Sequence, residues 1–125
     1  MTSPSAIQDS YPYQNEPIWS RSEKTIARKA FDAALGRELH DVIQETKTMA
    51  SRILQSSDLR DLELYLTQRR KEIDSKYDYR YSRLTHVFGK LLYEKRLGEE
   101  DLRGLREDKL SSIRSVAQLL AKFAA

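Results

Sequence analysis

From Ser20 onward, apolar side chains recur at three- and four-residue intervals. Phe31, Leu35, Leu39, Val42, Met49, Ile53 and Leu54 fall on one stripe of a predicted helix. Ser20-Arg21-Ser22-Glu23 in front of it is a capping box, in which the Ser oxygen and the Glu carboxylate each take an orphan N–H. Gly36 interrupts the stripe at a cost of about 1 kcal/mol relative to Ala, which a long amphipathic helix absorbs. A second helix is predicted to start near Ser56-Ser57-Asp58, with Ser57 at the cap. Leu59, Leu62, Leu66, Ile73 and Tyr77 continue as a near-heptad stripe. The segment Tyr77-Asp78-Tyr79-Arg80-Tyr81 breaks the pattern and marks a bend. A third helix carries Leu84, Val87, Phe88, Leu91 and Leu92 and stops near Leu97-Gly98. Glu99, Glu100 and Asp101 place negative charge at the expected start of a fourth. Its buried side is Leu102, Leu105, Leu110, Ile113, Val116, Ala117 and Leu120. No strand pattern and no internal repeat interrupts this all-α reading.

Proline sets the one sharp boundary. Pro4, Pro12 and Pro17 all precede Trp19, and the opening residues are polar without apolar period, so residues 1–18 read as a flexible tail. Tyr11 and Tyr13 in that tail are either part of a plain leader or a recognition element. The remaining residues 19–125 form one helical domain, divided into a stem over about 20–77 and a head over about 79–123. Length then bears on assembly. A first helix unbroken from Ser20 to Leu54 spans roughly 50 Å at about 1.5 Å per residue. A compact domain of this length has a diameter of only roughly 36 Å. Either that helix breaks or the molecule is elongated, and in an elongated hairpin two amphipathic helices cannot cover both of their stripes. A second copy can, which predicts an antiparallel homodimeric four-helix bundle with small helical heads. Phe31, Leu35, Leu39, Val42, Leu62, Leu66 and Ile73 are its expected dimer and core positions.

Composition narrows the chemistry. The absence of Cys excludes disulfides, thiol catalysis and Cys-based metal sites. His40 and His86 stand far apart, with no second His at ligand spacing, so no metal or other cofactor is expected. No apolar run is long enough for a membrane span or a signal-peptide core, which points to a cytoplasmic protein. There is no Gly-x-Ser-x-Gly elbow and no Gly-rich phosphate loop, so no catalytic constellation is visible. Arg69-Arg70-Lys71, Arg80, Arg83, Lys95 and Arg96 are interleaved with Glu72, Asp74, Asp78 and Glu94. Mixed signs at helical spacing describe a solvated face with i,i+4 pairs, a poor footprint for nucleic acid or an anionic membrane. The net charge of +3 adds little to that case. Tyr65, Tyr77, Tyr79, Tyr81 and Tyr93, set among arginines, serve either head-to-stem packing or protein–protein anchoring. Trp19 likewise either pins the chain's entry or lies exposed for a partner.

Several clusters share one order with a known family. They are Trp19-Ser20-x-x-Glu23, Ala30-Phe31-x-x-Ala34 with Arg37-Glu38, and Asp58-Leu59 with Leu62. Then follow Arg70-x-Glu72-Ile73-Asp74-x-Lys76-Tyr77-Asp78-Tyr79-Arg80-x-Ser82, Val87-Phe88 with Leu91, and Asp108-Lys109. Together they resemble the fluorescence recovery protein family of cyanobacteria, over about Trp19 to Val116. The resemblance implies an all-α antiparallel dimer with no enzymatic activity. It also implies a partner, the photoactivated orange carotenoid protein, bound chiefly on its C-terminal domain and hastened back to its resting form. That return ends photoprotective quenching at the phycobilisome. The partner-contact set carried over to this chain is Arg60, Glu63, Leu64, Arg70, Asp74, His86 and Ser112. Arg70 keeps the family residue. Arg60, Glu63 and Leu64 stand where the family has Trp, His and Asp, His86 stands for Phe, and Ser112 for Lys. Two readings follow: a divergent recovery protein, or a homologue whose partner is a different protein.

Overall fold

A computed structural model describes residues 18–124, so the expected tail, Tyr11 and Tyr13 included, lies outside the described residues apart from Ile18. Four α-helices and one 3-10 turn follow in order: α1 (Arg21–Ser51), α2 (Ser56–Lys76), α3 (Leu84–Tyr93), the turn Glu99–Leu102, and α4 (Glu107–Ala124). There is no strand among the described residues. The all-α expectation holds.

The capping box opens α1 as its spacing demands. Glu23 N donates to Ser20 Oγ at 3.2 Å, and Ser20 N donates to Glu23 Oε1 at 3.0 Å. The helix then runs 31 residues, about 46 Å, straight through Gly36, whose surroundings are open. Its hairpin partner α2 starts where expected, but Ser57 is not the cap. The capping oxygen is Asp58 Oδ2, which accepts from Leu54 N at 3.0 Å and Gln55 N at 3.2 Å. Ser57 is the second residue of the helix and not its cap, and it is the carboxylate at the third helical position that reaches back to those donors.

Two further boundaries differ from expectation. The third helix ends at Tyr93 and not near Gly98, because Lys95 takes a left-handed conformation (φ 64°) that folds the chain back onto Leu91. Glu99, Glu100 and Asp101 do not begin the last helix. They form the 3-10 turn, where Asp101 accepts from Gly98 N at 2.9 Å and pairs with Arg37 of α1 at 3.1 Å. Gly104, at φ 103°, then turns the chain before α4 starts.

The core sits at one end of the molecule. Trp19, Ala27, Ala30, Phe31 and Ala34 face Leu84, Val87, Phe88 and Leu91 of α3, with Leu97, Leu102, Leu105 and Ile113 closing the sides. The buried stripe of α1 is thus Glu23, Ala27, Ala30, Phe31, Ala34 and Glu38. Small side chains there let the other helices approach closely. α3 and α4 cross closest at Gly89, where a Cβ would lie 2.4 Å from Val116 Cβ.

Beyond Glu38 the chain is a bare two-helix hairpin. Of the expected dimer and core positions only Phe31 is buried in the single chain. Leu35, Val42, Leu62 and Ile73 are half-buried, while Leu39 is 43% and Leu66 40% exposed. They are therefore not core of one chain. The head covers the alanine face of α1, and the stem has no third layer to cover the leucine face.

Candidate interaction surfaces

One buried carboxylate gathers contacts from both stem and head. Glu38, halfway along α1, is 1% exposed. Arg69 Nη2 donates to it at 2.7 Å, Lys76 Nζ lies 2.8 Å from both oxygens, and Tyr77 donates its hydroxyl at 2.8 Å. Arg96, from the loop after α3, brings Nε to 3.2 Å. Flanking acids balance these cations: Glu72 on Arg69 at 2.6 Å, Glu94 on Lys76 at 2.7 Å, Asp41 on Arg96 at 2.8 Å. Burial pushes the Glu38 carboxyl up, but Lys76, Arg69 and Tyr77 more than reverse this and hold it at about 2. Burial, with Glu38 beside it, lifts the Tyr77 hydroxyl well above its ordinary range. A buried charge survives only when paired and hydrogen-bonded, and this one is met from α2, the bend and the α3 loop together.

The bend itself is irregular: Asp78 N donates to the Lys76 carbonyl at 3.1 Å, and Arg83 N donates to the Arg80 carbonyl at 2.7 Å. Tyr77 and Tyr79, half-buried, and the exposed Tyr81 follow one another in a run of tilted and edge-on rings. Phe31 sits 5.3 Å from Tyr77 and 4.9 Å from Tyr79; Tyr81 follows at 5.5 Å from Tyr79 and 5.8 Å from Trp19. Arg28 caps the face of Tyr79 at 3.7 Å. Burial, with the Tyr81 hydroxyl alongside, moves the Tyr79 hydroxyl up to about 12. Asp78 and Arg80, between the tyrosines, pair with each other outside.

Trp19 is buried, and its Nε1 donates to the Tyr81 carbonyl at 3.2 Å. The two open readings of this residue thereby close on the structural one. Beside it, Glu23 serves two helices. One oxygen completes the α1 cap; the other accepts from Arg106 N at 2.9 Å, just ahead of α4. Lys109 is 2% exposed and places Nζ 3.1 Å from Glu23 and 2.6 Å from the Ile18 carbonyl. Burial raises the Glu23 carboxyl, yet the two backbone donors and Lys109 together bring it down to about 2.

The residues expected to contact a partner do not form one cluster. Arg60, Glu63 and Arg70 line an open groove of about 760 Å³ along α2, with Leu59, Leu62 and Leu66. Asp74 lies one turn beyond Arg70 and is exposed. Leu64 is also exposed but stands outside the groove lining. His86 borders a second groove between α2 and α3, and Ser112 on α4 turns its hydroxyl to the Asp108 carbonyl at 3.1 Å. The sequence pattern does not single out Glu38, Arg69, Lys76 and Arg96 as a unit. The one local signal is the register of Glu23 and Glu38 with the alanines between them, which places both carboxylates on the buried stripe without naming their partners. Among the described residues no group of acidic and histidine side chains is placed to hold a metal, and no helix is long and apolar enough to cross a membrane.

Residues 19–117 match the protein family described as photoprotection regulator fluorescence recovery protein. The fluorescence recovery protein of Synechocystis sp. is 39% identical over 104 residues, covering 83% of this chain and 95% of the relative. The solved structure of the Fremyella diplosiphon fluorescence recovery protein superposes with a TM-score of 0.78 at 39% identity, covering 81% of this chain and 99% of that one. The Synechocystis structure gives the same score, identity and coverage.

Proposed function

The chain belongs to the fluorescence recovery protein family of photoprotection regulators, and from that premise we propose that it is a non-enzymatic homodimer that binds the photoactivated orange carotenoid protein and speeds its return to the resting form. The mechanism is a population shift. A partner that touches the returning conformation more favourably than the activated one draws the equilibrium and the return path toward it. Contact falls on the carotenoid protein's C-terminal domain, through the α2 groove around Arg70.

The observation that carries this reading is the uncovered stem. Leu39 and Ile43 of α1 and Leu59 and Leu66 of α2 all stand 40% or more exposed on a hairpin that has no inner layer. A stripe of that size on a water-facing rod supports a second copy packed against it. Light scattering at micromolar concentration tests the dimer: the expected mass is twice 14.6 kDa, and a single-chain mass overturns it. Adding the protein in excess to photoactivated orange carotenoid protein and timing dark recovery tests the activity. Arg70→Ala is expected to weaken that interaction while leaving helicity intact, since Arg70 is exposed and outside the Glu38 cluster.

Arg60 and Glu63 support a second reading. They make the groove charged, at positions where the family carries Trp and His. A homologue serving another protein partner would form the same dimer, and unaltered recovery timing together with a dimeric mass is the outcome that selects it.

A further inference from the structure

One face of α3 has no counterpart inside the chain. Leu84, Val87, Phe88 and Leu91 are buried in the core, while Arg83, His86, Lys90 and Tyr93 follow on the other side, all exposed. Spacings of three, seven and ten residues keep the four on one line of the helix. Arg83, His86 and Lys90 border a groove of about 540 Å³ whose nearby carboxylates are already engaged. Glu72 is held by Arg69, Asp78 by Arg80 and Glu94 by Lys76. Neither Arg83 nor Lys90 forms an ion pair with a described residue. Two cations and a histidine therefore face solvent from a rigid, core-anchored helix, with an aromatic ring at the end of the line.

We propose that this line docks a short acidic segment of a protein partner, whose carboxylates pair with Arg83 and Lys90 while Tyr93 supplies the apolar rim. The inference deepens the regulator reading and rests on it for who the partner is, not for the partner's charge. Charge complementarity of this kind sets encounter rate and register more than it adds affinity. Because the core already fixes α3, little ordering opposes docking. The line is only about 15 Å long at 1.5 Å per residue. Glu72, Asp78 and Glu94 bound it, so it offers an acidic peptide a seat and a phosphate backbone no continuous track.

The test titrates the full-length protein with an oligoglutamate peptide and follows backbone amide shifts, then repeats this with R83E/K90E and with the milder R83Q/K90Q. Shifts confined to residues 83–93 are expected, fading as salt shortens the Debye length. Affinity should fall about tenfold or more in R83E/K90E, and in the same direction in R83Q/K90Q. Shifts elsewhere, shifts unchanged by both variants, or displacement of the peptide by a DNA duplex at equal charge concentration would overturn the proposal. A second arm uses photoactivated orange carotenoid protein. If native protein and both variants bind it equally well, the α3 line is not its docking surface and the inference fails while the regulator reading stands. If none binds it but the oligoglutamate arm succeeds, the regulator reading fails and the inference stands.

Discussion

Glu38→Gln loads the stem–head joint more directly than any other single change. Gln keeps the shape and an acceptor for the Tyr77 hydroxyl, but removes the charge that Arg69, Lys76 and Arg96 share. The carboxyl sits at about 2 against an ordinary 4.5, a depression worth on the order of 3 kcal/mol. Arg69 and Arg96 each keep about a fifth of their side-chain surface in water, which discounts it to about 2 kcal/mol. Against that, stranding cations at a buried site typically costs about 3–5 kcal/mol, and here Glu72, Glu94 and Asp41 soften the loss. The expected destabilisation is about 2–3 kcal/mol, or a fall in Tm of roughly 10–15 °C for a domain of this size. Thermal unfolding by circular dichroism at fixed protomer concentration and neutral pH reads it directly. The pH dependence gives the sign. A carboxyl whose folded pKa is lowered stabilises above its unfolded value and loses that contribution as pH falls from about 4.5 toward 2. The gap between native protein and variant should be full at neutral pH and narrow through that window. A gap under about 3 °C at neutral pH, or one of the same size at about pH 2, refutes the account of the joint.

Three further outcomes follow from the geometry. Lys109→Met leaves Glu23 buried without its cation and should cost about 3 kcal/mol, seen as a lowered denaturation midpoint. Gly89→Ala drives a methyl to 2.4 Å from Val116 Cβ and 2.9 Å from the Ile113 carbonyl, and should cost about 1–3 kcal/mol with increased exchange of α4 amides. Lys95→Gly relieves a left-handed non-glycine residue at the end of α3 and should raise stability by about 0.5–1 kcal/mol in the same unfolding assay.

Much of this architecture is legible in the residues. The capping box, the start of α2 and the bend at Tyr77–Tyr81 each have a local cause, and each lies where the pattern puts it. The buried face of α1 is not legible from hydrophobicity, because half of it is alanine and its two ends are glutamates. Scoring greasy residues selects the Phe31–Leu35–Leu39–Val42 line, of which only Phe31 is buried in one chain. The end of α3 is hidden for a different reason. Lys95 occupies a position where glycine is the usual marker, so the chain carries no stop signal there. The acidic run at 99–101 imitates a helix start, yet Asp101 is committed to Gly98 and Arg37. The charged clusters around Glu38 and Glu23 join residues 31 to 86 positions apart, and no local spacing reports contacts of that range.

The shared use of Glu23 has a consequence for biosynthesis. Glu23 opens α1, whereas Arg106 and Lys109, which complete its surroundings, follow 83 and 86 positions later. A growing polypeptide can coil α1 alone but must leave that carboxylate in water until residues 106–109 have been made. The leucine-rich hairpin, by contrast, is whole once residue 76 has been made. A polypeptide that stops between residues 77 and 105 would therefore carry the intact hairpin and a Glu23 carboxylate with neither of its later partners.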